Sequence, residues 1–303
     1  MPPSPSRKTP GKPRTRIGLL GGSFDPVHVG HLALGHAAVV ALQLDELVLI
    51  PAGRAWQKMA GQQADGERRL AMLKRAVAPF VATAFAEAPK PSSPDRTSDH
   101  GGSDVAEGNA DTSDLDISTN APNTSLEPSA MSTRAAYVAP PAAAPSPGAA
   151  RWRIDDLEIR RDGPSYTLDT LIELRQRYGE QAALVLIIGS DQFRNLASWH
   201  RWTELLDYTH LAVTQRERVP LDDLPAPIEA MLAEHGTDAL PDRPAGSIVL
   251  FRMPAVPVSS TLLRRHLEAG LPVDGLLPAG VEAYIRQHRL YRSGAPSPSA
   301  PTA

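Results

Sequence analysis

Short apolar runs recur along the chain and predict the strands of a buried sheet. Runs of four to six residues, flanked by polar or turn-forming residues, are typical of strands that are covered on both faces. The predicted strands are Ile17–Leu20, Glu46–Pro51, Ala183–Ile188, Leu211–Thr214 and Ile248–Phe251. Ala183–Ile188 is the most apolar of them and is expected in the centre of the sheet. Arg153–Ile159 is also strand-like.

Apolar residues recur at helical spacing between these strands. The predicted helices are Leu32–Leu44, Glu67–Val77, a segment that opens at Thr167, Ile228–Leu232, a segment that opens at Ser259–Thr261, and Val281–His288. Ser165 or Thr167 is expected to cap the helix at Thr167. Strands that alternate with helices predict an α/β fold, here a doubly wound, mostly parallel sheet with a small helical C-terminal part.

Three stretches lack the apolar residues that a packed core needs. Residues 1–15 are basic and proline-rich, residues 90–150 are mostly Ser, Pro, Ala, Asp, Thr and Gly, and residues 292–303 are a Ser/Pro tail. Such segments bury too little apolar surface to offset the entropy lost on ordering, so they are predicted to be disordered. For the basic arm, a weak electrostatic role is the alternative to a solvated tail. The predicted domain is therefore 16–291, with an insertion at 90–150 in a surface loop.

Composition excludes several classes of function. The chain has 303 residues, of which 42% are hydrophobic, a formal net charge of −3 and no cysteine. The absence of cysteine excludes disulfides, thiolate catalysis and iron–sulfur clusters, and it fits a reducing cytoplasm, where we expect the protein. The net charge is unlike the basic footprint of a nucleic-acid-binding protein. No apolar run approaches the 18 or so residues of a membrane span.

The segment between the first predicted strand and helix carries the clearest chemistry. It is Gly21-Gly22-Ser23-Phe24-Asp25-Pro26-Val27-His28-Val29-Gly30-His31. The paired glycines allow a ligand close to the backbone, and the start of the helix directs N–H groups and a positive dipole end toward it. His28 and His31 share a helix face, and both rings can donate to phosphate oxygens. A phosphate site is favoured over a zinc pair, which needs further ligands, and over two surface histidines.

A second candidate phosphate site is Ser259-Ser260-Thr261 with Arg264. Hydroxyls at the start of a helix can cap it and can donate to an anion near its amino end. Arg264 lies one turn inside, on the face of Ser260 and Thr261, and its guanidinium can bind phosphate through two N–H groups. Alone this motif is weak evidence, but together with the histidine motif it is strong, because the two are independent.

Other polar residues follow the ends of strands, where ligands of open α/β sheets bind. Arg54 and Lys58 follow the second predicted strand, Asp191 follows the central one, and Arg216 follows the next. For Arg54 and Lys58 the alternative is a solvated loop charge. For Asp191, which could accept hydrogen bonds from a ribose, the alternative is a helix cap.

Both motifs resemble signatures of one superfamily. Gly21–His31 resembles the HxGH signature of the nucleotidyltransferases that are related to class I aminoacyl-tRNA synthetases, and Val258–Arg264 resembles their Ile-Ser-Ser-Thr-x-x-Arg signature. The fuller first string and Pro164–Leu171 resemble bacterial nicotinate-nucleotide adenylyltransferases. So does Gly189-x-Asp191 with Trp199 eight residues further on.

For Trp199 the resemblance implies stacking on a pyridine ring, whereas burial in the core is the ordinary alternative for a tryptophan. Trp202 has no counterpart in the family pattern and is assigned to packing. The resemblance covers residues 16–89 and 151–291.

The resemblance implies transfer of AMP from ATP to nicotinate mononucleotide, which gives nicotinate adenine dinucleotide and pyrophosphate in NAD biosynthesis. Catalysis is expected to rest on alignment and charge neutralisation by His28, His31 and Arg264, without an activating base. The residues expected at ATP are Gly21, Gly22, Ser23, Phe24, Gly30, Gly189, Ser259, Ser260 and Thr261. Those expected at the mononucleotide are Lys58, Thr167, Asp191, Trp199 and Arg216. No metal site in the protein is expected, and Mg²⁺ would be carried by the ATP phosphates.

Three alternatives remain at this stage. The chain could be a related transferase for nicotinamide mononucleotide or phosphopantetheine, although the matches at Thr167 and Trp199 disfavour the latter. It could be a nucleotide-sensing module without catalysis, or an RNA-binding protein, which the net charge of −3 disfavours. The expected partners are ATP and nicotinate mononucleotide, with no nucleic acid and no membrane, and a homo-oligomer is left open.

Overall fold

A seven-stranded sheet forms the framework of the protein. The computed structural model describes residues 14–53, 64–82, 150–215, 221 and 223–292. Its strands are β1 (Arg16–Gly22), β2 (Glu46–Pro51), β3 (Arg151–Ile154), β4 (Ala183–Gly189), β5 (His210–Gln215), β6 (Gly236–Thr237) and β7 (Ile248–Arg252). They lie in the order β3-β2-β1-β4-β5-β7-β6, and each neighbouring pair is parallel. The predicted doubly wound parallel sheet is confirmed.

The strand order reverses between β1 and β4. From β1 the chain moves outward to β2 and β3, whereas from β4 it moves the other way to β5 and β7. In open parallel sheets a crevice forms outside the carboxyl ends of the strands at this reversal, and ligands bind there. All seven residues of β4 are buried, which confirms its predicted central place.

Helices cover both faces of the sheet. They are α1 (Val29–Leu42), α2 (Gly66–Ala82), α3 (Leu157–Arg160), α4 (Thr167–Tyr178), α5 (Ser190–Arg194), α6 (Leu205–Tyr208), α7 (Ala226–His235), α8 (Ser260–Glu268) and α9 (Ala279–Gln287), with 3₁₀ turns at Leu196–Ser198 and Trp202–Glu204. One apolar cluster joins the sheet to α1, α2, α8 and α9, and the other joins it to α4–α7. Leu19 and Leu20 belong to different clusters, because successive side chains of a strand point to opposite faces.

One predicted strand is wrong over most of its length. The segment Arg153–Ile159 is extended only as far as Ile154, where β3 ends, and Leu157 then begins α3. The cause is Asp155, which is buried and whose Oδ1 accepts the backbone N–H of Leu157 at 3.1 Å. An aspartate that accepts from the backbone two residues later turns the chain and ends the strand.

Several predicted helices differ from the structure at their ends, and other predictions concern residues that the structure does not describe. Helix α1 begins at Val29, three residues earlier than predicted, and α2 continues beyond Val77 to Ala82. The predicted disordered segments at 1–15, 90–150 and 292–303 fall almost entirely outside the described residues, as do Arg54, Lys58 and Arg216. Among the helices that the structure describes, none is long and apolar enough to cross a bilayer.

Candidate active site

A cleft of about 1070 Å³ opens at the carboxyl edge of the sheet, where β1 and β4 lie side by side. This volume is at the upper end of the range of ligand pockets, so the cleft has room for more than one nucleotide. Most of the predicted site residues line it: Gly21, Gly22, Ser23, His28, Gly30, His31, Thr167, Gly189, Asp191, Trp199, Ser259, Ser260, Thr261 and Arg264. Residues that lie far apart in the sequence therefore share one cleft.

The glycines of the first motif have different roles. Among the described residues, a Cβ added to Gly21 would meet nothing within 4 Å, so the backbone there is open to a ligand. A Cβ on Gly30 would lie 3.0 Å from Cγ1 of Val258 and 3.1 Å from the His28 ring. Gly30 thus allows α1 to pack closely against the residue that precedes the second motif.

The two histidines lie against each other at the start of α1. Their rings stack with centroids 3.8 Å apart and planes at 29°, and the backbone N–H of His28 donates to Nδ1 of His31 at 3.2 Å. Because Nδ1 of His31 is the acceptor, the proton of its neutral ring lies on Nε2, which makes Nε2 a donor. His28 is buried and His31 half-buried, so neither is a solvated surface group.

The buried ring of Phe24 packs against the ring of His31. The sequence predicts that Phe24 binds ATP, but its side chain is fully buried and lies outside the cleft lining. Its ring meets the His31 ring edge-on, with centroids 4.9 Å apart. The side chain of Phe24 therefore orients His31.

The second motif is bonded directly to the loop of the first. Ser259 caps α8, as predicted, because its Oγ accepts the N–H of Leu262 at 3.2 Å. Ser260 Oγ donates to the carbonyl of Pro26 at 3.0 Å, and Nη1 of Arg264 donates to the carbonyl of Asp25 at 2.7 Å. The guanidinium is thereby held beside the histidine loop, with N–H groups left for an anion.

Asp25 is bonded to Tyr291, which lies near the end of the described chain. The sequence did not point to this pair. The side chain of Asp25 is buried, and Oδ1 accepts the hydroxyl of Tyr291 at 2.5 Å. Burial, together with the negative charge of Asp25, raises the pKa of Tyr291 far above its ordinary value, so the hydroxyl stays a neutral donor. Tyr291 thereby fixes the loop that in turn orients Arg264.

In the part of the chain that the structure describes, no side chain caps the amino end of α4. Its N-cap residue is Tyr166, so the predicted cap by Ser165 or Thr167 is wrong. Ser165 lies before the cap position and is close to the Glu158 carbonyl, at 3.5 Å, while Thr167 is already helical. Uncapped N–H groups and the positive end of the helix dipole therefore face the cleft near Thr167, which suits an anion.

Trp199 and the start of α4 are neighbours. Trp199 is half-buried, lines the cleft and packs partly on the apolar cluster of α4–α7. The adjacent residue, His200, packs on the ring of Tyr166 with centroids 4.4 Å apart. Trp202 packs against the same cluster, as predicted.

Asp191 presents an unused acceptor. Within the described chain, its buried Oδ1 has no hydrogen-bond partner, and Oδ2 accepts only from Nε2 of Gln192 at 3.3 Å. The N-cap of α5 is Gly189, and no side chain caps that helix, so Asp191 is not a cap. A buried carboxylate oxygen without a donor favours a bound hydroxyl as its partner.

Glu158 is a further carboxyl group on the cleft wall, and the sequence did not point to it. Thr170 Oγ1 donates to its Oε1 at 2.8 Å. Burial raises the pKa of Glu158, while the bonds from Thr170 and from the backbone of Gly53 oppose the rise. No periodicity pointed to this residue, since it lies in the segment that was predicted as a strand.

Comparison with known proteins identifies the family. The model of the cytidylyltransferase-like family matches residues 19–95 and 141–266. A protein of Herminiimonas arsenicoxydans named "Probable nicotinate-nucleotide adenylyltransferase" is 32% identical over 281 residues, which is 91% of this chain and 97% of the relative. A protein of Chromobacterium violaceum with the same name is 32% identical over 278 residues, covering 91% and 99%.

A solved structure agrees in fold. The nicotinic acid mononucleotide adenylyltransferase of Plasmodium falciparum, complexed with NaAD, superposes with a TM-score of 0.54 and 13% identity over 92% of this chain and 98% of that one. At this identity the likeness shows the fold alone. The family model and the curated relatives place the chain in the cytidylyltransferase-like family and, within it, among the nicotinate-nucleotide adenylyltransferases.

Proposed function

We propose that this chain transfers AMP from ATP to nicotinate mononucleotide, forming nicotinate adenine dinucleotide and pyrophosphate. The observation that carries the proposal is the bond from Arg264 to the Asp25 carbonyl at 2.7 Å. This bond joins the two phosphate motifs. His28 and His31 lie just after Asp25, at the start of α1. The uncapped start of α4 and Trp199 line the same cleft.

The reaction is a substitution at the α-phosphorus of ATP. An oxygen of the mononucleotide phosphate forms the new P–O bond, and the bond to the β-phosphate breaks, so that pyrophosphate leaves. The attacking phosphate is already an anion and needs no general base. The protein supplies alignment and donors for the charge that develops, which are Nε2–H of His31 and the guanidinium of Arg264.

Each substrate has a matching side of the cleft. The phosphates of ATP lie over the open backbone at Gly21, between the histidines and α8. The nicotinate ring stacks on Trp199, and its carboxylate meets the uncapped N–H groups of α4. Asp191 accepts from a ribose hydroxyl. Lys58 and Arg216 remain predictions for the mononucleotide, since they lie outside the described residues.

Nucleotidyltransferases of this kind use ATP with a divalent metal ion, and we infer Mg²⁺. Among the described residues, no group of three or more His, Asp or Glu side chains is placed to hold a metal. The donors of the cleft are imidazoles, hydroxyls and separate carboxylates, which fit an ion carried by the ATP phosphates and water. Such an ion neutralises charge on the triphosphate when bound.

The test is to incubate pure protein with ATP, Mg²⁺ and each candidate acceptor, and to measure pyrophosphate. The acceptors are nicotinate mononucleotide, nicotinamide mononucleotide and phosphopantetheine. A hydrogen bond to a charged group contributes about 1.5–3 kcal/mol, so kcat/KM for the acid should exceed that for the amide by at least about tenfold.

Equal efficiency with acid and amide would contradict the proposed acid site at α4. Turnover with phosphopantetheine alone would move the chain to another transferase of the superfamily. Nucleotide binding without pyrophosphate release would identify a sensing module.

A further inference from the structure

The exits of β1 and β2 run side by side into the cleft. In the sheet register Gly22 is the partner of Pro51, and the N–H of Ala52 donates to the Gly22 carbonyl at 2.8 Å. Ser23 and Ala52, the residues that follow this last pair, both line the cleft. We call Ala52–Gly53 the β2 exit.

One buried arginine holds both exits. Arg69 extends from α2 and is 2% exposed. A single nitrogen, Nη1, donates to the carbonyl of Ser23 at 2.9 Å and to that of Ala52 at 2.7 Å. Its Nε donates to the carbonyl of Ala64 at 3.3 Å, which fixes the plane of the guanidinium.

The β2 exit also touches the side of the cleft assigned to the mononucleotide. A Cβ added to Gly53 would lie 1.9 Å from the carbonyl oxygen of Glu158 and 2.9 Å from Oγ of Ser165. Ser165 directly precedes the N-cap of α4. Arg69 therefore links the phosphate loop at Ser23 to the segment that leads into α4.

Stability alone gives little reason for an arginine here. A buried guanidinium is costly, and burial lowers the pKa of Arg69, although the charges of Asp25 and Glu158 oppose this. The bonds of Arg69 hold the carbonyls of Ser23 and Ala52 on one nitrogen and so fix their spacing at this edge of the cleft.

We propose that Arg69 is a positioning residue for AMP transfer. By holding the carbonyls of Ser23 and Ala52 on one nitrogen, it sets the spacing between the phosphate loop and the β2 exit, and with it the spacing of the two bound nucleotides. The inference rests on the proposed function. In-line attack needs reacting atoms about 3–3.5 Å apart, and a displacement of about 1 Å can lower turnover by about 10²-fold.

The test compares Arg69→Met and Arg69→Lys, with Arg68→Met as the matched control. Arg69→Met should lower kcat by about 10²-fold and leave both KM values within about threefold. Lysine has one terminal nitrogen, which can donate to both carbonyls. The kcat of Arg69→Lys should therefore be at least about tenfold higher than that of Arg69→Met. Arg68 is the next residue of α2 and pairs with Asp65 at 3.5 Å, so its replacement should leave kcat unchanged.

Binding and folding are measured separately from turnover. For each variant, calorimetry gives the Kd of a non-hydrolysable ATP analogue, and thermal unfolding gives Tm. Wild-type turnover in Arg69→Met, or parallel losses of kcat and analogue affinity without recovery in Arg69→Lys, would overturn the positioning role. If Arg69→Met does not fold, Arg69→Gln replaces it with the same expectations. Failure of the wild-type protein to release pyrophosphate would instead reject the proposed function.

Discussion

At the scale of single residues, His31 is held by contacts with both the backbone and the ring of His28 and with the ring of Phe24. Its Nδ1 accepts from the backbone of His28, its ring stacks on that of His28, and Phe24 meets it edge-on. These contacts select one neutral tautomer and one ring orientation before any ligand binds. A donor that is already oriented loses little entropy when charge develops on the phosphate.

His31→Ala should therefore lower turnover by about 10²-fold or more, the usual effect of removing one donor to a transition state. Folding should change little, because the ring is only half-buried. The measurement is kcat with Tm recorded in parallel, and the control is His36→Ala, since His36 is an exposed residue of the same helix. Near-normal turnover in His31→Ala would show that the mechanism assigned here is wrong.

At the scale of elements, the amino end of β5 depends on a buried histidine. The side chain of His210 is inaccessible to solvent; its Nδ1 accepts the N–H of Ser247 at 3.1 Å and its Nε2 bonds the carbonyl of Arg243 at 2.8 Å. These bonds use the neutral ring, and they tie β5 to the loop before β7. Burial lowers the pKa of His210; the bond to the Arg243 carbonyl opposes this, and the charges of Arg243, Arg175 and Arg16 lower the pKa further.

The folded protein should consequently lose stability as the pH falls below about 6.5. In that window the unfolded chain binds a proton at His210 and the folded chain does not, so the free energy of unfolding decreases with decreasing pH. Between pH 7.5 and 5.5, Tm should fall by about 2–4 °C more in the wild type than in His210→Gln, which corresponds to about 1 kcal/mol in a domain of this size.

His36→Gln is the matched control, because it removes an exposed imidazole and leaves His210 in place. Glu158 acts with the opposite sign, since its pKa is raised, and comparison of single variants cancels its contribution. An identical pH dependence in the wild type and His210→Gln would contradict the assignment.

At the scale of the whole molecule, the long Ser/Pro/Ala segment joins two elements that already contact each other. Phe80 of α2 stacks on Trp152 of β3, with ring centroids 4.4 Å apart and planes at 14°. β3 also pairs with β2. Both flanks of the predicted insertion are thus anchored by the domain itself.

Replacing residues 91–150 by a short Gly/Ser linker should leave both kcat and Tm close to the wild-type values. Loop closure depends only weakly on length, with about 0.6 kcal/mol for each doubling. The expectation rests on composition, because these residues lie outside the described part except for residue 150. A large loss of turnover or of Tm would show that the segment packs on the domain or covers the cleft.

The sequence by itself determined the features that depend on neighbouring residues. Strand β4 is a continuous apolar run, and a strand buried on both faces needs one. The cap of α8 was predictable, because Ser259 reaches the N–H of Leu262 within a single turn. The motifs of the cleft were found for the same reason, since each lies at one junction between a strand or loop and a helix.

Only the tertiary structure decided which distant residues complete the cleft. Tyr291 bonds Asp25 across 266 positions of sequence, and Arg69 reaches Ser23 from another helix. The local signal for Arg69 was its spacing. It lies three and four residues before Met72 and Leu73, so its side chain shares the buried face of α2 with theirs. Periodicity and propensity describe contacts within a few residues, whereas these bonds exist only after the sheet has brought its carboxyl ends together.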